Sequence, residues 1–208
     1  MKKLLAFVLV LGMLLSFAAC GKKKGESNVP EDYQLASNDT YCDYTLYVPD
    51  EEHGWTVEKK NSDFSMAAFE SGDDFCSVSV TVGALTSECP DIVSYWNAHK
   101  GEYSFLTDCT VGDAEPTEIK VGGAKIPAYR YTFTGSYAGE SYGFAQVLFA
   151  RQSFLSGTVY CVTFTATEGC YVKQYETFEK ILSYMEFDGV ESGDDAADGE
   201  TDGGGAQE

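Results

Sequence analysis

The chain has 208 residues, with 14 lysines and arginines against 33 aspartates and glutamates, and a formal net charge of −19. Its 44% hydrophobic and 14% aromatic content is too high for a wholly disordered chain, and the length suits one domain with appendages. The acidity argues against nucleic acid as a partner, because a phosphate backbone is met by a basic footprint.

In chain order, Met1-Lys2-Lys3 is basic and residues 4–17 are apolar apart from Gly12 and Ser16. Ala18-Ala19-Cys20 follows, and the composition then turns polar. A basic start, an apolar middle shorter than a membrane-spanning helix and small residues at a boundary make a secretory signal, expected over residues 1–19. Ser16-Phe17-Ala18-Ala19-Cys20-Gly21 resembles the bacterial lipobox, with Phe17 where leucine is usual. The resemblance implies a diacylglyceryl group on the Cys20 thiol and cleavage that leaves Cys20 first. It also implies a lipid-anchored protein on the extracytoplasmic face of the cell membrane. Lys22, Lys23 and Lys24 follow the anchor, where each adds about 1 kcal/mol at an anionic surface. Apart from these and Lys2 and Lys3, nine basic residues face 33 acidic ones, so the body is repelled by the same surface.

Residues 20–40 read as the lipidated cysteine and a flexible linker rich in Gly, Ser, Asn and Pro. Asn38-Asp39-Thr40 matches a glycosylation acceptor, whose use the lipoprotein signal argues against. The globular domain is expected over residues 41–187, and residues 188–208, acidic and Gly-rich, as a disordered tail. Asp194, Asp195, Asp198 and Asp202 in that tail do not form an EF-hand loop, because Ala196 stands where a third-position oxygen ligand belongs.

Within the domain, Tyr44 to Val48 and Trp55 to Val57 flank a charged turn and read as a hairpin. Ser65 to Phe69 is a short strand. In Cys76 to Val82, Cys76, Val78, Val80 and Val82 share one face, which marks a strand with one buried side. Pro90 and Asp91 begin a helix in which Ile92, Tyr95, Trp96, His99, Tyr103 and Leu106 recur at helical spacing. Glu118 to Val121 and Ala124 to Thr134 flank a Gly122-Gly123 turn, and residues 135–139 turn the chain again. The next strand, Tyr142 to Arg151, is apolar on both faces and so should be central. Val159 to Ala166 follows. The last element is a helix over Tyr171 to Met185 with Val172, Tyr175, Phe178, Leu182 and Met185 as its apolar stripe. The fold class is α+β: a largely antiparallel sheet of about six to eight strands flanked by two amphipathic helices.

This layout resembles the PsbP-like fold, which includes small bacterial lipoproteins. The resembling residues are Tyr44–Val48 with Pro49 and Trp55, Tyr95-Trp96, Val121-Gly122-Gly123-Ala124, Tyr129-Arg130-Tyr131-Thr132, Val159-Tyr160 running to Ala166, and Tyr175, Phe178, Ile181-Leu182 and Phe187. These are architectural positions covering most of residues 44–187. The resemblance implies an αβα sandwich that binds or assembles rather than catalyses, with no functional residue to carry over.

Candidate chemistry is sparse. His53 lies in a charged turn, and His99 sits beside the helix stripe as a boundary residue. Neither begins an H-E-x-x-H pattern, and no nucleophile elbow or phosphate loop is present. Glu51-Glu52, Asp73-Asp74 and Asp113 with Glu115 read as solvated turns, and Arg130 and Arg151 face either an anionic ligand or local acids. No catalytic, metal or cofactor site is expected. Of the cysteines other than Cys20, none forms a C-x-x-C pair, and six permit disulfides outside the cytoplasm. The return of the chain through the mid-chain helix favours a Cys76–Cys109 bond, with free buried thiols as the alternative. Tyr41, Tyr44, Tyr47, Tyr129, Tyr131, Tyr137 and Tyr142 gather on or near the expected strands, where they serve either recognition or sheet packing.

The expected function is a monomeric, non-enzymatic binding or assembly module at the bacterial envelope, with an envelope protein as partner. A small-ligand or cation-binding lipoprotein and an envelope enzyme remain as alternatives. A deep polar pocket favours the ligand reading, and a shallow aromatic patch favours a protein partner.

Overall fold

The computed structural model describes residues 29–37, 43–60, 64–112, 114–121, 124–152 and 157–187. The expected signal, Cys20, the tether lysines, the acceptor at Asn38, Tyr41, Cys42, Asp113, Gly122-Gly123 and the acidic tail lie outside these residues. Three short strands open the fold: β1 (Tyr33–Leu35), β2 (Tyr44–Thr45) and β3 (Tyr47–Pro49). They are followed by β4 (Trp55–Lys60), β5 (Phe64–Ser71) and β6 (Asp74–Ala84), then helix α1 (Ile92–His99). Strands β7 (Thr107–Val111), β8 (Glu115–Val121), β9 (Ala124–Tyr137), β10 (Glu140–Gln152) and β11 (Gly157–Thr167) come next, then helix α2 (Glu168–Ser183) and β12 (Glu186–Phe187).

Strands β4 to β11 form one eight-stranded antiparallel sheet in the order β4-β5-β6-β11-β10-β9-β7, with β8 also paired to β9. The α+β class is as expected, and β10 is central between β11 and β9. Its two apolar faces each enter a core. Ala145, Val147 and Phe149 join the larger core beneath α2, whereas Phe144 and Leu148 join a second core beneath α1. One helix therefore packs on each face of the sheet.

Helix α1 starts where Asp91 accepts the Ser94 backbone N–H at 2.8 Å and the Ser94 hydroxyl accepts the Asp91 N–H at 3.2 Å, a reciprocal capping box. Its Trp96 lies 4.5 Å from the Tyr131 ring and 6.1 Å from Phe133. Burying an aromatic side chain of this kind contributes about 1.5–3 kcal/mol. On the other face, Phe178 of α2 stacks on Phe164 of β11 at 5.2 Å. The pairing of β12 with β2 ties the end of α2 back to the opening of the domain.

Several expectations need correction. The hairpin joining Tyr44–Val48 to Trp55 is not made. β3 pairs with β1, which falls in the expected linker, while β4 pairs with β5. Between β3 and β4 a 3-10 turn, Glu51–His53, closes on Gly54 at φ 82, a left-handed conformation suited to glycine, and sends the chain into a different ladder. The mid-chain helix does not run to Leu106 as α-helix: it ends at His99 and continues as a 3-10 helix, Lys100–Phe105, across Gly101. Residues 135–137 are strand rather than turn, and the reversal is confined to Ala138 and Gly139, at φ 53 and 90. Gly135 pairs with Tyr142 within the strand and lies so close to Leu106 that a Cβ there would stand 3.0 Å from it.

Helix α2 begins at Glu168, three residues earlier than expected. Val172 is 84% exposed and is not part of the buried stripe, which Cys170, Phe178, Ile181 and Leu182 supply. The expected Cys76–Cys109 bond is not formed. Both thiols are free, and they lie on opposite sides of the sheet, Cys76 beneath α2 and Cys109 against the core beneath α1.

Candidate functional site

Residues on the α2 face of β9 change character at Arg130. Ile126 and Ala128 pack beneath α2, whereas Thr132, Thr134 and Ser136 extend past the helix. Arg130 marks the border: it donates to Glu179 of α2 at 2.5 and 3.2 Å and to the Tyr175 hydroxyl. Among the described residues nothing covers the sheet beyond. It forms the floor of an open cleft of about 720 Å³, bounded by the first turn of α2 on one side and the edge strand β7 on the other.

The cleft floor is rich in hydroxyls. Thr134 lies opposite Thr110 of β7 on one side and Gly143 of β10 on the other, and the Ser136 and Ser141 hydroxyls are 3.5 Å apart. Tyr171 and Val172 make the helical wall. Gly143 allows the Tyr171 ring to lie on the strand, since a Cβ at that position would stand 2.6 Å from Tyr171 Cδ2. Burial, reinforced by Tyr175, pushes the Tyr171 phenol up to about 12, so it stays a neutral hydrogen-bonding group at ordinary pH. The carboxylates in the lining are those of Asp108 and Glu168. Among the described residues its lining holds no histidine, lysine, arginine or cysteine, and it offers hydrogen bonds and apolar contact.

On the opposite face of the same sheet end lies an exposed aromatic pair. Phe105 is 60% exposed and Tyr137 is 57% exposed, and their rings meet edge to face at 5.9 Å. Val111 of β7, 40% exposed, is on the same face through its pairing with Phe133. Between this patch and the cleft runs β7 itself. Among the described residues it has one ladder partner, β9, and its outer edge is paired by none of them. A bulge between Thr107 and Thr110, with Asp108 at φ 52, twists its beginning. Gly112 gives its N–H to Thr132 at 2.7 Å, so by alternation the N–H of Val111 points away from the sheet.

The other sequence candidates take structural places. His53 is exposed, with Nδ1 2.8 Å from Asp50, whose hydrogen bond raises the imidazole pKa. His99 stacks on Tyr95 at 4.1 Å and places Nδ1 2.8 Å from the Tyr95 carbonyl, a boundary histidine as expected. Both arginines meet local acids: Arg151 lies 3.7 Å from Asp43 and covers the Phe187 ring at 4.4 Å. Asp74 pairs with Lys173 at 2.6 Å. Among the described candidate tyrosines, Tyr44 and Tyr131 are core residues, and Tyr137 is the exposed one. Among the described residues no group of three His, Cys, Asp or Glu side chains is gathered as a metal site. Among them, too, no helix is long and apolar enough to cross a membrane.

No family model and no curated protein matches the sequence. Among solved structures the chain is similar to LpqN, involved in cell envelope biogenesis of Mycobacterium tuberculosis. The TM-score is 0.53 and the identity 14%, over 74% of this chain and 89% of that one. It is also similar to the Pseudomonas aeruginosa protein PA94, of unknown function, with a TM-score of 0.44 and 14% identity over 73% of this chain and 94% of that one. The Saccharomyces cerevisiae Ran-binding protein Mog1p gives a TM-score of 0.47 and 9% identity over 74% of this chain and 94% of that one. The likeness to LpqN is one of fold.

Proposed function

We propose that this chain is a non-enzymatic binding module of the bacterial envelope, lipid-anchored through Cys20, that captures an extended segment of a partner protein along β7. The observation that carries the reading is the open edge of β7, flanked by exposed Phe105, Tyr137 and Val111 on one face and by the hydroxyl-lined cleft on the other. An added strand takes its affinity from backbone hydrogen bonds to such an edge and its specificity from side chains that alternate between the two faces. Here one set would meet aromatic surface and the other would enter the cleft. The aromatic pair supplies rigid amphipathic contact area.

The envelope setting is supported by the signal-like residues 1–19 and by the fold shared with LpqN, a protein of envelope biogenesis. The PsbP-like reading of the layout agrees with binding rather than catalysis, although shared fold alone never assigns function. A monomer held off the membrane by its acidic body leaves the β7 edge open to partners.

The test is affinity purification of the full chain from cross-linked envelopes, beside a Val111→Pro variant. Proline removes the outward N–H of the edge strand and leaves the ladder to β9 in place. Recovery of an envelope protein with the native chain and its loss with the variant supports the reading. Equal recovery with both, or turnover of a small molecule without any partner, overturns it.

A further inference from the structure

Two of the free thiols meet inside the core beneath α2. Cys76 of β6 and Cys170 in the first turn of α2 are both fully buried in the core beneath α2, close enough for each to act on the other's titration. Their approach is fixed by a series of neighbouring contacts. Cys76 lies opposite Ala166 at the end of β11, and four residues later the helix brings Cys170 back over it. Phe75 gives its N–H to the Thr167 hydroxyl at 3.2 Å. Gly169 faces Asp74, whose carboxylate receives Lys173 at 2.6 Å. Thus residues 167, 169 and 173 all sit on residues 74 and 75, which holds the 76–170 contact in place.

The other described cysteines are out of reach. Cys109 and Cys161 pack against the core beneath α1, on the far side of the sheet, and Cys89 lies near Tyr95 on that side. Helix α2 also lacks an ordinary N-terminal cap. The side chain of Thr167, at the N-cap, bonds to β6 instead of to the helix, so the first turn depends on its contacts with that strand.

We propose that Cys76 and Cys170 form a disulfide that staples the first turn of α2 to β6. The bond forms by exchange. One cysteine thiolate attacks the disulfide of an oxidised thiol–disulfide oxidoreductase or of oxidised glutathione, giving a mixed disulfide and releasing one carrier thiolate. The second cysteine thiolate then displaces the remaining carrier sulfur. Two protons leave the pair, two electrons reduce the carrier to its thiols, and one S–S bond is made for one broken. Burial raises both thiols once the core is closed, so the exchange belongs to folding rather than to the finished domain. Persistence of the bond in cells rests on the extracytoplasmic reading, because the cytoplasm keeps thiols reduced. Formation in vitro does not.

The test is refolding of the full chain in a glutathione redox buffer, alkylation under denaturing conditions, and non-reducing peptide mapping. The expected result is a single cross-linked peptide joining Cys76 to Cys170, with Cys89, Cys109 and Cys161 alkylated. Reduction should lower Tm by about 10 °C, and Cys76→Ser and Cys170→Ser should each lose both the link and the Tm response to reductant. Alkylation of both cysteines in the oxidised native chain, or bonding of either one to a different cysteine, overturns the proposal. A bond that forms on refolding yet is absent from protein acid-trapped in cells overturns the extracytoplasmic reading and leaves the site standing.

Discussion

Gly143 is where the cleft is most sensitive to a single methyl group. A Cβ at this position would lie 2.6, 3.0 and 3.2 Å from three atoms of the Tyr171 ring. Comfortable carbon–carbon contact begins at about 3.5 Å, so Gly143→Ala must displace the ring by roughly 1 Å. The ring has little freedom, being packed 5.4 Å from Phe164 and 5.5 Å from Tyr175. Overpacking of this kind costs about 1–3 kcal/mol, which for a domain of this size lowers Tm by about 2–10 °C. Tyr171→Ala removes the clash but also the packing, at a cost of about 2–4 kcal/mol. The two changes together should therefore cost less than their sum, by about the whole penalty of Gly143→Ala alone. A double-mutant cycle measured by urea denaturation reads this coupling. If Gly143→Ala is neutral, or if the two costs simply add, Tyr171 does not form the cleft wall in the way described.

Other consequences follow from the same structure. The Arg130–Glu179 pair borders the cleft, with the Glu179 side chain 43% exposed, so solvent screens its charge; Arg130→Ala should cost about 1 kcal/mol in denaturation, and Glu179→Gln less. The exposed His53 has a raised pKa, chiefly from its hydrogen bond with Asp50. Its protonated form therefore adds stability that is fully present below the ordinary histidine value and fades as pH rises through the higher folded value. Asp50, lowered by the same bond, contributes above the ordinary carboxylate value and loses that contribution as pH falls through its folded pKa. An NMR titration should place the His53 midpoint above 6.5 and lower it in Asp50→Asn, where the charges of Asp32 and Glu52 remain.

Much of the fold was legible because two of its signals are local. Alternation at Cys76, Val78 and Val80 found the buried face of β6, and the two apolar faces of Tyr142 to Arg151 found the central strand. What failed depended on distant partners. Tyr33–Leu35 is too short to carry a period, and becomes a strand only because β3 offers an edge. Val172 is apolar, but it sits roughly 120° around the helix from Phe178, so its hydrophobicity did not predict burial. The return of the chain brought Cys109 to a strand of the same sheet as Cys76, yet the choice of face was set by which helix covers it.

The site was less legible than the fold. Thr132 and Thr134 read as ordinary strand residues, and Ser136 as part of a turn. Only the reach of α2, which stops short of them, turns them into a cleft floor. Tyr137 was one of several candidate tyrosines, placed by the sequence in a turn, and nothing there marked it as half of an exposed aromatic pair. Phe105 stands off the helix stripe, roughly 140° around from Ile92, so its exposure agrees with helical spacing, but its meeting with Tyr137 depends on the fold.

The account rests most heavily on β7 as the edge that receives a partner. A photo-cross-linking phenylalanine derivative in place of Tyr137, in the full chain in intact cells, tests this directly, with the same label in place of Glu58 on β4, at the opposite end of the sheet, as the reference. The account predicts one dominant envelope protein joined to the label at 137, little at 58, and loss of the product when Val111→Pro is added. Equal labelling from both positions, or a product that survives the proline, would contradict it.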